Sequence, residues 1–153
     1  MPVVSALWRV AGEHTVDRSD FQELARIRIS EARVLLQGKH ACGAYYLSGF
    51  SVECALKACI ARNMRRHEFP QKGHEQKCYV HNLAALLKAA ELEGKLLADC
   101  GLDRTFSVNW NVVRDWDIEL RYEPNITINK ARDLYAAVVS RKHGVLRWLR
   151  QYW

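Results

Sequence analysis

Arginine, asparagine and histidine stand in order in Arg62-Asn63-Met64-Arg65-Arg66-His67. A histidine titrates near neutral pH and can take or return a proton, while an arginine steadies charge developing on a phosphate. On a regular helix, residues five apart point about 140° from each other, so this pair converges only where a helix ends or kinks. Pro70 permits such an ending. The alternative is a solvated cap, because arginine at a helix C-terminus is favoured by the backbone dipole.

Glu53 and Lys57 are four residues apart in the favoured order for a helical ion pair, yet they stand inside an apolar segment where lone charges are costly. Two readings follow: a polar pair facing a dimer groove or a nucleotide site, or an internal pair that fixes helix register. Arg114, Asp115, Trp116, Glu119, Arg121 and Tyr122 crowd charged and aromatic groups into one short stretch. Arginine beside tyrosine suits phosphate contact and base stacking, which makes Arg114, Asp115, Arg121 and Tyr122 binding candidates. Trp110 and Trp116 read as core, and Arg121 is an alternative partner for Glu53. His74, Cys78 and His81, with His67 nearby, match no paired-cysteine spacing, so neither a metal nor a cofactor is assigned. Arg65, Arg66, Lys72 and Lys77, and separately Arg141, Lys142, His143, Arg147 and Arg150, read as solvated helix faces that could otherwise track a phosphate backbone. Trp148, Tyr152 and Trp153 call for a covering surface, such as a dimer seam or partner protein.

Positioning these groups requires helices. With 153 residues, 49% of them hydrophobic, the chain is one domain's worth of globular protein, which excludes disorder and fibre. Eight glycines and three prolines are too few for the frequent turns of a sheet protein. No uncharged apolar run approaches the roughly 20 residues that cross a bilayer. Residues 1–11 lack the basic start and unbroken apolar centre of a secretion signal. Five cysteines are an odd count, and Cys42, Cys54 and Cys59 fall in an apolar helical pattern, pointing to reduced thiols and the cytoplasm. The net charge of +6 admits an anionic partner without establishing one.

The pattern predicts an all-α bundle of four main helices plus short ones, with residues 1–18 as an extension and 19–153 as a single domain. Ser19 and Gln22 have the form of a capping box before Phe21, Leu24, Ala25, Ile29, Ala32, Leu35 and Leu36, and Gly38 supplies the stop. Residues 41–64 are apolar nearly all round, so that helix must be touched from several sides. A loop over residues 68–78 follows. Leu83, Leu86, Leu87 and Ala90 then form a short helix, and residues 92–99 either continue it or begin another across Gly94. Ser107 is expected to cap a helix running to about Tyr122, closed by Pro124. Thr127 is expected to cap a last helix whose apolar stripe runs from Ala131 to Leu149.

Several of these segments resemble the HEPN domains, the helical nucleotide-binding domains of higher eukaryotes and prokaryotes. Residues 44–58, reading AYYLSGFSVECALKA, look like the second helix of that fold; Phe69-Pro70 and His81-Asn82-Leu83 follow in order. Trp116-Asp117-Ile118-Glu119-Leu120-Arg121-Tyr122 is similar to the signature of one bacterial branch. The likeness covers about residues 21–149. It implies an up-and-down bundle that dimerises, binds RNA or nucleotides, and acts beside a nucleotidyltransferase in toxin-antitoxin or phage-defence pairs. It also implies a possible metal-independent endoribonuclease, in which an arginine is followed after four to six residues by a histidine. Arg62, Asn63 and His67 meet that pattern, with His67 as general acid or base on a ribose 2′-hydroxyl. In the family the motif lies later in the bundle, where this chain has Arg114-Asp115 and no following histidine, so the site there is degenerate. A third reading is a non-catalytic module that binds a nucleotidyltransferase.

Overall fold

A computed structural model describes residues 16–66 and 78–153. Among them are seven α-helices, one 3-10 helix and no strand: α1 (Arg18–Gln37), α2 (Ala41–Arg66), α3 (Leu83–Ala89), α4 (Glu93–Leu102), α5 (Arg104–Arg114), the 3-10 helix Ile118–Tyr122, α6 (Ile128–Val139) and α7 (Val145–Leu149). The all-α expectation holds. No helix here is long and apolar enough to cross a membrane.

The uniform apolarity of α2 is satisfied in the predicted way. Every residue from 51 to 60 is buried, and α2 packs against α1, α3, α6, α7 and the 3-10 helix. Val52, Leu56 and Ile60 are 0% exposed, and each such side chain contributes about 1.5–3 kcal/mol. The buried Ser51 hydroxyl is satisfied by donating to the Ala25 carbonyl of α1, at 2.7 Å, so the two long helices are pinned by a polar contact as well.

Helix ends follow local chemistry, though not always the expected residue. The N-cap of α1 is Asp17, whose carboxylate accepts from the Asp20 N–H at 3.0 Å while Asp20 accepts from the Asp17 N–H at 2.9 Å. Ser19, the expected cap, lies inside the helix and donates to Asp17. Asp17 and Arg18 thus cap and open α1, and the Arg18 guanidinium donates to the Trp153 carbonyl. At the other end Gly38 is the C-cap, but the left-handed residue is Lys39, with φ 63°. Asp103, not Ser107, caps α5, accepting from the Phe106 N–H at 2.9 Å. In both cases a carboxylate just upstream supplies the acceptor that helix N-termini favour. Asn82 and Thr127 cap α3 and α6.

Two predicted helices are broken. The stretch expected to run from Ser107 to Tyr122 is α5 followed, after Asp115, by the 3-10 helix capped by Asp117. The last helix is interrupted between Ser140 and Gly144. A Cβ on Gly144 would lie 2.4 Å from the Ser140 carbonyl, so only glycine fits this reversal. The break lets Val145, Leu146, Trp148 and Leu149 all turn inward.

Candidate functional site

Among the described residues, most of the candidate side chains gather in three places. The first is internal. Glu53 Oε1 lies 2.7 Å from Lys57 Nζ and 2.9 Å from His81 Nδ1, with the Glu53 side chain 1% exposed and that of Lys57 8%. This is the internal ion pair, held by one turn of α2. The carboxylate is bound by Lys57 and His81; Arg121, the alternative partner, is exposed and lies over the Tyr122 ring. Glu53 Oε2 is buried and has no hydrogen-bond partner among the described residues. Beside the pair, burial and then the Glu53 charge push the Cys54 thiol up to about 12. In the sequence His81 stood out just before α3 and beside His74 and Cys78, not as a partner of Glu53. Nothing local ties it to Glu53, 28 residues earlier, and the packing of α3 on α2 brings them together.

The second place is a cleft of about 480 Å³ where the end of α2 meets the turn between α3 and α4 and the residues following α7. Arg62 and Asn63 are in its wall, joined by Glu91, Lys95, Gln151 and Tyr152. The Asn63 amide donates to the Ala90 carbonyl at 2.7 Å, and an Arg62 guanidinium nitrogen lies 3.5 Å from the Gln151 carbonyl. The Lys95 ammonium sits 4.6 Å from the centre of the Tyr152 ring. At the base Cys59 points at the Leu149 carbonyl, and burial pushes its thiol up to about 12. Glu91 and Lys95 carry no signal of their own in the sequence, and Tyr152 carries only that of an aromatic calling for a covering surface. His67, the third member of the proposed catalytic set, lies outside the described residues, as do Phe69, Pro70, Lys72, His74, Lys77 and residues 1–15.

The third place is the outer surface formed by the end of α5 and the 3-10 helix. Trp116 anchors it at 1% exposure, with its indole on Gly49 of α2: a Cβ there would come within 2.2 Å of the ring. Tyr46 lies against the same indole, centroids 6.1 Å apart, and stacks on Phe50 at 6.0 Å. Around this anchor Arg114, Asp115, Arg121 and Tyr122 are all exposed, Tyr122 by 69%. Arg121 lies 4.7 Å from the centre of the Tyr122 ring, and Arg114 Nε is 3.8 Å from Asp115. Arginine planes and an open tyrosine face are the groups that hold phosphates and unstacked bases.

Other expectations resolve into structure. Trp148 is buried against Phe106 and Tyr152 and donates to Asp99 at 2.7 Å. Trp153 lies between Arg26 and Arg150, 5.1 and 5.6 Å from its ring. The chain's own elements therefore contact the aromatics that had called for a partner surface. No disulfide joins the cysteines among the described residues, and Cys42 is exposed rather than part of the core. Arg141, Lys142, Arg147 and Arg150 are exposed; His143 instead makes a 2.6 Å contact with Asp103. No group of three metal-binding side chains occurs among the described residues. Set against family models, curated proteins and solved structures, the chain matches none.

Proposed function

We propose that this chain is an RNA- or nucleotide-binding bundle of the HEPN kind, working in the cytoplasm as a homodimer beside a nucleotidyltransferase in a bacterial toxin-antitoxin or defence pair. One observation carries the reading: Trp116 packs on Gly49, joining two of the segments that resemble that family, and leaves Arg114, Arg121 and Tyr122 exposed beside the contact. The contact between His81 and Glu53 joins a third segment to the same helix. The net charge of +6 supports an anionic ligand, and the odd count of five cysteines supports a reducing compartment.

A gel-shift titration with single-stranded RNA at low and high salt tests it. The expected result is a shift that weakens as salt rises, with Arg114→Ala and Arg121→Ala each lowering the slope of log affinity against log salt by about 0.7. RNA that fails to shift at low salt overturns RNA binding and favours a module for a protein partner. A second reading, metal-independent RNA cleavage, draws on Arg62 and Asn63 in the wall of an open cleft five and four residues before His67. Cleavage in EDTA that is lost in His67→Ala supports it; intact RNA argues against it.

A further inference from the structure

The cleft at the end of α2 has unmatched charges. Arg62 and Lys95 line it, and neither has a carboxylate within salt-bridge distance among the described residues. Arg62 makes one long contact with a carbonyl, and Lys95 rests on a ring face, a weak and exchangeable position for an ammonium. Glu91 adds a carboxylate with no cationic group within salt-bridge distance among the described residues. It sits in the left-handed turn after α3, φ 59°, held by the Glu91 N–H to the Lys88 carbonyl at 2.9 Å and the Leu92 N–H to the Leu87 carbonyl at 3.2 Å. Glycine would adopt that conformation more easily, so the turn presents an acid to the cleft where local backbone chemistry does not ask for one. Asn63 is already spent on the Ala90 carbonyl, which ties α2 to this turn and holds the two sides of the opening together. At about 480 Å³ the space falls in the range, roughly 300–1,000 Å³, of small-molecule pockets.

Two cations, one carboxylate and a tyrosine face have complementary uses. A guanidinium and an ammonium together neutralise a phosphate; a carboxylate accepts both hydrogens of a vicinal diol; an aromatic face takes a planar ring. We propose that this cleft binds a small organic phosphate bearing a vicinal diol, with Arg62 and Lys95 on the phosphate and Glu91 on the diol. Sugar phosphates and nucleoside monophosphates share that chemistry, and Tyr152 offers a surface for a base once Lys95 turns to the phosphate. The proposal is independent of RNA binding at the Arg114 to Tyr122 surface.

Isothermal titration of the full chain with ribose 5-phosphate, AMP, adenosine and inorganic phosphate tests it. Ribose 5-phosphate or AMP is expected to bind at least tenfold more tightly than either adenosine or inorganic phosphate. Arg62→Gln and Lys95→Gln should each weaken that binding at least tenfold with an unchanged melting temperature. Glu91→Gln should weaken the organic phosphates while leaving inorganic phosphate no weaker. A tenfold preference for AMP over ribose 5-phosphate identifies a nucleotide; equal affinity identifies a sugar phosphate. No heat from either organic phosphate at millimolar concentration overturns the proposal, as does binding of inorganic phosphate equal to both. Affinity that survives Arg62→Gln and Lys95→Gln in folded protein, checked by circular dichroism, also overturns it. Arg114→Ala and Arg121→Ala should leave these titrations unchanged, so failure here is separable from failure of RNA binding.

Discussion

His81 Nδ1 lies 2.9 Å from Oε1 of Glu53, joining an imidazole that is 45% exposed to a carboxylate that is 1% exposed. The same oxygen is 2.7 Å from Lys57 Nζ. A charge this deep is tolerated only while paired, so removing one partner costs far more than removing both. Lys57→Met should destabilise the fold by about 3–5 kcal/mol, whereas Glu53→Gln combined with Lys57→Met should cost far less. Urea unfolding of the two single variants and the double variant measures the coupling; additive losses would show that the pair is not a unit.

Gly49 is required by its neighbour. A methyl group there meets the Trp116 ring at 2.2 Å, and the buried indole has no room to retreat. Gly49→Ala should cost about 1–3 kcal/mol and red-shift tryptophan emission as the ring is displaced. Adding Trp116→Leu should recover part of the loss. An unchanged spectrum and unchanged stability in Gly49→Ala would contradict the contact.

Lys39 closes α1 at φ 63°, one residue beyond the glycine that would adopt this conformation freely. Lys39→Gly is expected to raise stability by about 0.5–1 kcal/mol, and Lys39→Ala to give no gain, because alanine keeps the Cβ that makes the left-handed region costly. Thermal melts of the two variants side by side decide the point.

Asp103 caps α5 and meets His143 at 2.6 Å. The Phe106 N–H, and then His143, hold its carboxyl below the ordinary aspartate range. A carboxyl with a depressed folded value stabilises the protein above its unfolded value and loses that contribution as pH falls through the folded one. Asp103→Asn should therefore flatten the decline in stability below about pH 4. Urea midpoints at pH 3 and pH 5 read this directly; equal pH dependence in both proteins would rule out the contribution.

The cysteines should separate by reactivity. Cys54 and Cys59 are buried with thiols pushed up to about 12, which leaves almost no thiolate at pH 8, whereas Cys42 is exposed. Brief alkylation of the native protein followed by mass spectrometry should find Cys42 modified first and Cys54 and Cys59 only after denaturation.

The helical nature of the chain was legible because burial leaves a periodic trace along one segment at a time. The stripes of α1 and α6, the all-round apolarity of α2 and the cap at Thr127 need only neighbours within a few residues. Local rivals were harder to separate: Asp17 against Ser19, and Asp103 against Ser107, differ by which acceptor reaches the free N–H groups first. The break at Ser140 to Gly144 left no trace in the stripe, since apolar residues continue on both sides of it.

The amino-acid sequence by itself determined that this protein is helical, that α2 is its centre and that Trp110 and Trp116 are core. Tertiary packing alone decided that Glu53 meets His81, that Arg62 and Asn63 share a cleft with Glu91, Lys95 and Tyr152, and that Trp116 rests on Gly49. The reason is physical: apolar spacing encodes which face of a helix leaves water, whereas the partner of that face depends on the path of the whole chain.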